Sequence, residues 1–223
     1  MPTAAPAPSA IVLFNAAAHA PRNTFLEEET PVAFGPHRSV TFAQLPDGPL
    51  GGVVWPAARL WVANISASAK TWRGLRVLEL GCGTGAVGLA LAAAGARVTA
   101  GDGDATLVDL AARNAAAARL PLTAVHHKWG TGAEDQLFAQ HGPWDAVVAC
   151  DVVYGSDARA LLKTIGSLAR LGVPAFHIVH QDRQDAQERR FFHLVTRKCA
   201  LEIQSTSTIG QSTSLLVLRP RQL

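Results

Sequence analysis

Residues 79–85, Glu79-Leu80-Gly81-Cys82-Gly83-Thr84-Gly85, follow directly on the apolar pair Val77-Leu78. An acid closes a short strand, three glycines stand at alternate positions, and an apolar helix begins. Glycine lacks a Cβ, so such a loop can take positive φ and lie close against a ligand. The helix that follows, about 86–94, aims its N-terminal amides and positive dipole end at the same place. The chemistry this suggests is the binding of a nucleoside-bearing cofactor. Two further acids fall where apolar runs end: Asp102 after Val98-Thr99-Ala100-Gly101, and Asp151 after Ala146–Cys150.

These residues need a frame to position them. Short apolar runs at 76–80, 97–100, 122–127, 146–150 and 175–180 read as strands. Between them lie helical patterns: 86–94 closed by Gly95, 104–119 capped by Asp104 and stopped by Pro121, 156–171 capped by Ser156 and ended by Gly172, and 185–198. Strand–helix alternation predicts a doubly wound, mostly parallel sheet with right-handed crossovers. The runs 201–208 and 214–218 are separated by Gly210 and a few polar residues, so they predict a C-terminal antiparallel hairpin. Ahead of the alternation, 31–44 reads as a short hairpin around Gly35-Pro36-His37-Arg38. Pro56 then opens a helix running to about residue 70. The expected class is α/β, a Rossmann-like seven-stranded sheet in a single domain over 31–223, preceded by a flexible alanine-rich extension over 1–30. An organelle address is the alternative reading of that extension.

Composition narrows the function classes. A chain of 223 residues with 48% hydrophobic and 17% charged residues can bury a sizeable core. The net charge of +3 is a mild bias, not a nucleic-acid signature. No apolar run reaches the roughly 20 residues a membrane span needs. Three scattered cysteines, Cys82, Cys150 and Cys199, suit neither a disulfide framework nor a zinc site, so a reducing, cytoplasmic setting without metal is expected. The histidines, His126-His127, His177 and His180 among them, are expected on strand and loop surfaces.

Five ordered motifs now carry a resemblance. Gly52-Val53-Val54-Trp55-Pro56-Ala57-Ala58, the loop Glu79–Gly85 with Ala86-Val87-Gly88, Val98-Thr99-Ala100-Gly101-Asp102, Lys128-Trp129-Gly130 and Asp151-Val152-Val153-Tyr154 together resemble the seven-strand S-adenosylmethionine-dependent methyltransferases. The chain is most similar to their family-16 protein-lysine methyltransferase branch, of the methyltransferase-like 21 type. Asn114 sits where that branch has its helix asparagine. Gly101 stands where the branch has threonine, and His180-Gln181-Asp182-Arg183 keeps an arginine without naming a substrate.

The resemblance implies S-adenosylmethionine as cofactor and S-adenosylhomocysteine as product, with no metal. It places Trp55, Glu79, Gly81, Cys82, Gly83, Thr84, Gly85, Asp102, Gly103, Trp129, Cys150 and Asp151 around the cofactor. Asp102 is suited to accept from both ribose hydroxyls. Glu79 would orient the loop or meet the methionine ammonium, and the Trp129 indole would cover an adenine face, with Gly130 letting the backbone close in. Asp151 and Tyr154, the only tyrosine, are the implied catalytic pair. They would hold the incoming ammonium and shape an aromatic-sided channel. Methyl transfer to an amine is an in-line displacement, so the protein must align two atoms and keep the amine unprotonated. The implied partner is a protein substrate: a chaperone, an AAA-type ATPase or a translation elongation factor. A monomer is expected.

Rival readings use the same residues. Gly83-Thr84-Gly85-Ala86-Val87-Gly88 is a literal G-x-G-x-x-G with Asp102 downstream, the dinucleotide fingerprint. Against it, no second substrate domain follows. The methyltransferase scaffold also serves small-molecule amines and protein histidine, and a cofactor-binding interaction module is a non-catalytic alternative.

Overall fold

The computed structural model describes residues 32–33, 39–40, 42–46, 48–153, 157–183 and 186–221. The expectations placed on the N-terminal extension, on Tyr154 and on the Ser156 cap lie outside the described residues.

Strand β1 (Val32–Ala33) pairs antiparallel with β2 (Ser39–Val40). A 3-10 turn at Leu50–Gly52 leads into α1 (Pro56–Ala67), with proline at its first position. Sequence periodicity carries this helix on to residue 70. The chain instead breaks at Ser68, where backbone N–H and hydroxyl both return to the Asn64 carbonyl, and a separate α2 (Ala69–Trp72) follows. Such local side-chain bonds offer the backbone an alternative to helix continuation.

The alternation then runs β3 (Arg76–Leu80), α3 (Ala86–Ala93), β4 (Arg97–Asp102), α4 (Ala105–Ala118), β5 (Leu122–His126), α5 (Glu134–His141), β6 (Ala146–Cys150), α6 (Ala158–Arg170), β7 (Phe176–Gln181) and α7 (Ala186–Lys198). It closes with β8 (Leu201–Gly210) and β9 (Thr213–Pro220). Helix α5 is an element the sequence reading left out. It is short and polar, and buries only Glu134 and Leu137, too few positions to print a helical period.

The seven-stranded sheet has the order β5-β4-β3-β6-β7-β9-β8. Pairings from β5 through β7 are parallel, and β9 enters antiparallel between β7 and β8. Successive side chains of a strand face opposite layers. In β3, Val77 joins the core under α1 and α3, with Trp61, Ile65 and Leu89, while Leu78 and Leu80 join the core under α6, with Leu161, Ile165 and Phe176. That alternation aims Glu79 at the α3 side.

One consequence governs function. From β3 the chain winds outward to β4 and β5; with β6 it returns to the other side of β3. The carboxyl ends of β3 and β6 are therefore neighbours at a topological switch point, where open α/β sheets leave a crevice. The register sets Leu80 beside Ala149, so the glycine loop and the turn at Asp151 leave the sheet side by side.

Candidate active site

A cavity of about 340 Å³ opens at this switch point, within the size range of small-ligand sites. Its wall takes in Trp55, Glu79, Gly81, Cys82, Gly83, Thr84, Asp102, Gly103, Trp129, Cys150 and Asp151. These are the expected cofactor residues with one exception. Gly85 is not among the lining residues. It is the N-cap of α3 at φ 80, and a Cβ there would stand 3.1 Å from that of Ala111 on α4. A left-handed backbone and close helix packing already require glycine there.

Gly81 shows why the loop needs glycine at the cavity itself. It has φ 70, and a Cβ would fall 2.8 Å from Val152 Cγ1 and 3.0 Å from the Trp129 ring. Gly88, one turn into α3, is required differently. A Cβ there would meet Glu79 Oε2 at 2.4 Å, so the helix leaves room for a carboxylate. Gly88→Ala is expected to push Glu79 off its place, costing about 1–3 kcal/mol of stability; a thermal melt of the variant checks it.

Glu79 is 2% exposed, and its Oε2 has no hydrogen-bond partner. Burial drives its pKa up from 4.5 to about 8; the Gly88 N–H opposes the shift and the charge of Asp102 adds to it. A buried carboxyl oxygen facing a cavity offers an acceptor to a ligand donor. Asp102 is better served. Its Oδ2 accepts from Gly83 N–H at 3.0 Å and its Oδ1 from Asp104 N–H at 3.1 Å. Burial still raises its pKa, against those bonds. Each carboxylate oxygen keeps a second lone pair for a ligand donor. Asp104 caps α4 through Thr106 N–H at 2.8 Å, which leaves the two neighbouring acids with separate tasks.

The aromatic groups divide similarly. Trp129 lines the cavity, and its Nε1 is buried without a partner. Trp55 donates from Nε1 to the Leu50 carbonyl at 3.2 Å, which fixes its ring against the turn at Leu50–Gly52. Trp61 is fully buried core. Gly130, expected to close in on the ligand, instead faces α6: a Cβ would stand 3.0 Å from Ala160 Cα, and its N–H donates to the Thr164 hydroxyl at 2.9 Å. The Cys82 and Cys150 thiols are pushed up by burial and by neighbouring carboxylates. They are neutral wall, not nucleophiles.

Three findings lay beyond sequence reasoning. Asn114 is a buried clamp. It accepts from Ala43 N–H at 2.8 Å and donates to the carbonyls of Ala43 at 3.1 Å and Thr84 at 2.9 Å, tying the N-terminal segment to the glycine loop. The histidines are less superficial than expected. His127 and His180 are buried beside Glu134 and Glu188, at 3.5 and 3.1 Å. His177 meets Trp72 edge-on, and burial lowers its pKa to about 4. Finally, the Asp151 carboxylate is not free to receive an ammonium. Arg183 Nη1 donates to Oδ1 at 2.8 Å and Nη2 to Oδ2 at 2.6 Å. Contact between residues 32 apart in sequence leaves no trace in local pattern.

Residues 37–198 match the lysine methyltransferase family. The chain belongs to that family. The dinucleotide reading of Gly83–Gly88 gives way to this match. Among curated relatives, the protein N-lysine methyltransferase METTL21A of Danio rerio is 34% identical over 125 residues, 54% of this chain and 56% of the relative. METTL21A of Mus musculus is 32% identical over 126 residues, 53% of this chain and 56% of the relative. The chain thus spans about half the length of the curated relatives it matches. The fold is shared with solved methyltransferases. Synechocystis magnesium protoporphyrin IX methyltransferase with bound SAH gives a TM-score of 0.57 at 18% identity, covering 74% of this chain and 82% of that one. A TehB-like SAM-dependent methyltransferase from Corynebacterium glutamicum gives 0.53 at 18% identity, covering 77% and 90%.

Proposed function

We propose that this chain is an S-adenosylmethionine-dependent protein-lysine N-methyltransferase. The observation that carries the reading is the donor and acceptor set of the cavity. Glu79 Oε2 is an unpartnered acceptor that a ligand cation would ionise, suited to the ammonium of an amino-acid moiety. Asp102 offers free lone pairs suited to a ribose diol, and the Trp129 ring is suited to an adenine face. Among the described residues of the wall, five acids stand against one basic residue, Lys128, a balance that suits a cationic sulfonium nucleoside. The cofactor supplies the electrophilic methyl group when bound. The chain's own part is to grip both ends of the cofactor, exclude water with Val152, Leu107 and Trp55, and present an amine in line. A lysine amine has an ordinary pKa of about 10.4, which desolvation at such a site lowers.

The acceptor in this reading is a protein lysine, and chaperones, AAA-type ATPases and translation factors are the classes to screen first. The three free cysteines support action in the cytoplasm, which imaging of the tagged chain tests.

Calorimetric titration with S-adenosylhomocysteine beside NADH, followed by tritiated-methyl transfer from S-adenosylmethionine into a lysate, tests the proposal. Homocysteine-cofactor binding and a labelled protein band, with the label on lysine after hydrolysis, are the expected results. Label confined to small molecules or to histidine, or NADH binding alone, overturns it. Trp129→Ala is expected to weaken S-adenosylhomocysteine about 10-fold, since base–aromatic stacking contributes roughly 1–3 kcal/mol. Trp129→Phe should retain most of the affinity in the same titration.

A further inference from the structure

Asp151 is held in an unusual way. It has φ 55, a left-handed conformation that costs a non-glycine residue energy. It sits at the carboxyl end of β6, and it and the next residue, Val152, both line the cavity. Val152 Cγ1 is the group that leaves no room for a Cβ on Gly81. The direction the chain takes at Asp151 is therefore read directly by the cofactor loop.

That direction is held on the backbone side by β7 and on the side-chain side by one arginine. Arg183, two residues past β7, grips both Asp151 oxygens in parallel. Its own backbone N–H donates to Glu188 Oε2 at 3.1 Å, its Nη1 also donates to the Gln181 carbonyl at 3.2 Å, and Glu188 Oε1 lies 3.8 Å from Nη1. Glu188 in turn meets His180 Nε2 at 3.1 Å. The backbone of β7 takes the Asp151 N–H at the Val179 carbonyl, 2.8 Å, but gives the Asp151 side chain only a long contact, Gln181 N–H to Oδ1 at 3.5 Å. The partnership with Asp151 raises the Arg183 pKa further.

Two roles are open to such an arginine. It could be a stopper that yields Asp151 to the incoming lysine ammonium, or a fixed brace. The geometry decides. The Asp151 side chain is 3% exposed. A lysine ammonium is a point donor that cannot reproduce two parallel bonds from a planar fork. Exchange would also leave the guanidinium without its closest partner. The brace is the lower-energy arrangement.

We propose that Arg183 is a positioning residue of the methyl-transfer site, holding Asp151 in its left-handed conformation so that Val152 and the glycine loop enclose the cofactor. Substrate does not touch Arg183 in this arrangement, and Asp151 acts through its backbone direction. The inference rests on the methyltransferase reading above.

The test uses the full chain and four proteins: wild type, Arg183→Gln, Arg183→Lys and Asp151→Gly/Arg183→Gln. Glycine takes φ 55 without strain, so the double variant removes the need for the brace. Three readouts apply: S-adenosylhomocysteine affinity, initial rate of tritiated-methyl transfer into lysate protein at saturating cofactor, and hydrogen exchange of the Asp151 amide, which donates to the Val179 carbonyl at 2.8 Å. Arg183→Gln should lower the transfer rate at least 10-fold and cofactor affinity no more than about 3-fold, with faster exchange at residues 150–153. Arg183→Lys should not rescue. The double variant should recover most of the lost rate. A transfer rate within two-fold of wild type in Arg183→Gln, or a double variant no better than Arg183→Gln while both melt near wild type, overturns the inference. A wild-type chain that binds no cofactor sinks the methyltransferase reading instead, and the exchange measurement still tests the brace.

Discussion

Asp102→Ala is expected to weaken S-adenosylhomocysteine binding by at least about 100-fold, since a hydrogen bond to a charged group is worth roughly 1.5–3 kcal/mol and two such bonds are lost with the carboxylate. The loss has a second component. Asp102 also takes the Gly83 N–H at 3.0 Å and the Asp104 N–H at 3.1 Å, so its removal frees one backbone donor in the glycine loop and one in the turn before α4. Asp102→Asn separates the two. An amide oxygen can still accept from Gly83, but the amide nitrogen cannot accept from a hydroxyl or from Asp104. Asn should therefore fall between wild type and Ala in the calorimetric titration. An Ala variant that binds within a few-fold of wild type would remove Asp102 from the ribose role.

The second large effect is a dependence of cofactor binding on pH. In the free protein Glu79, pushed up by burial to about 8, is mostly protonated at neutral pH. The groups facing it are the Gly88 N–H from α3 and the Asp102 carboxylate from β4. A ligand ammonium placed against Oε2 favours the ionised form, so binding expels a proton. Affinity should accordingly tighten about 10-fold per pH unit between pH 6 and 8, then level off. At pH 7 close to one proton should be released, seen as a calorimetric enthalpy that varies with the ionisation heat of the buffer. Glu79→Gln should flatten both dependences. The same shift has a stability consequence of definite sign. The folded-state pKa lies above the ordinary 4.5, so the contribution of this group to stability is fully present below pH 4.5. It is lost as pH rises through 8. Glu79→Gln should remove that slope from the melting temperature. An affinity in the wild type that is flat from pH 6 to 8 would place the ligand cation elsewhere.

Both results depend on strand ends, and strand ends were the legible part of this chain. A parallel sheet covered on both faces demands apolar runs, and β6 writes one plainly as Ala146–Cys150, while β3 writes Val77–Leu80 with Glu79 as its single polar residue. The acid that closes a run and the glycines that follow are local features, so Glu79, Gly81 and Asp102 could be placed beforehand. Helices buried through packing alone were harder. Helix α5 carries little apolar signal, and α1 shows a period that continues past the point where Ser68 interrupts it.

Local sequence determined the α/β class, the glycine loop and the acids that face the cavity, because each is written within a few residues by periodicity or by the absence of a Cβ. Tertiary structure alone decided which groups meet. Gly85 and Gly88 carry the same residue type three positions apart, yet one serves a helix contact with Ala111 and the other clears space for a carboxylate. His127 and His180 look like surface residues until α5 and α7 bring Glu134 and Glu188 to them. Asp151 reads as a free carboxylate until β7 sets Arg183 against both its oxygens. Strand order, register and the packing of helices on the sheet choose these partners, from seven to 32 residues apart in sequence, and no local pattern records them.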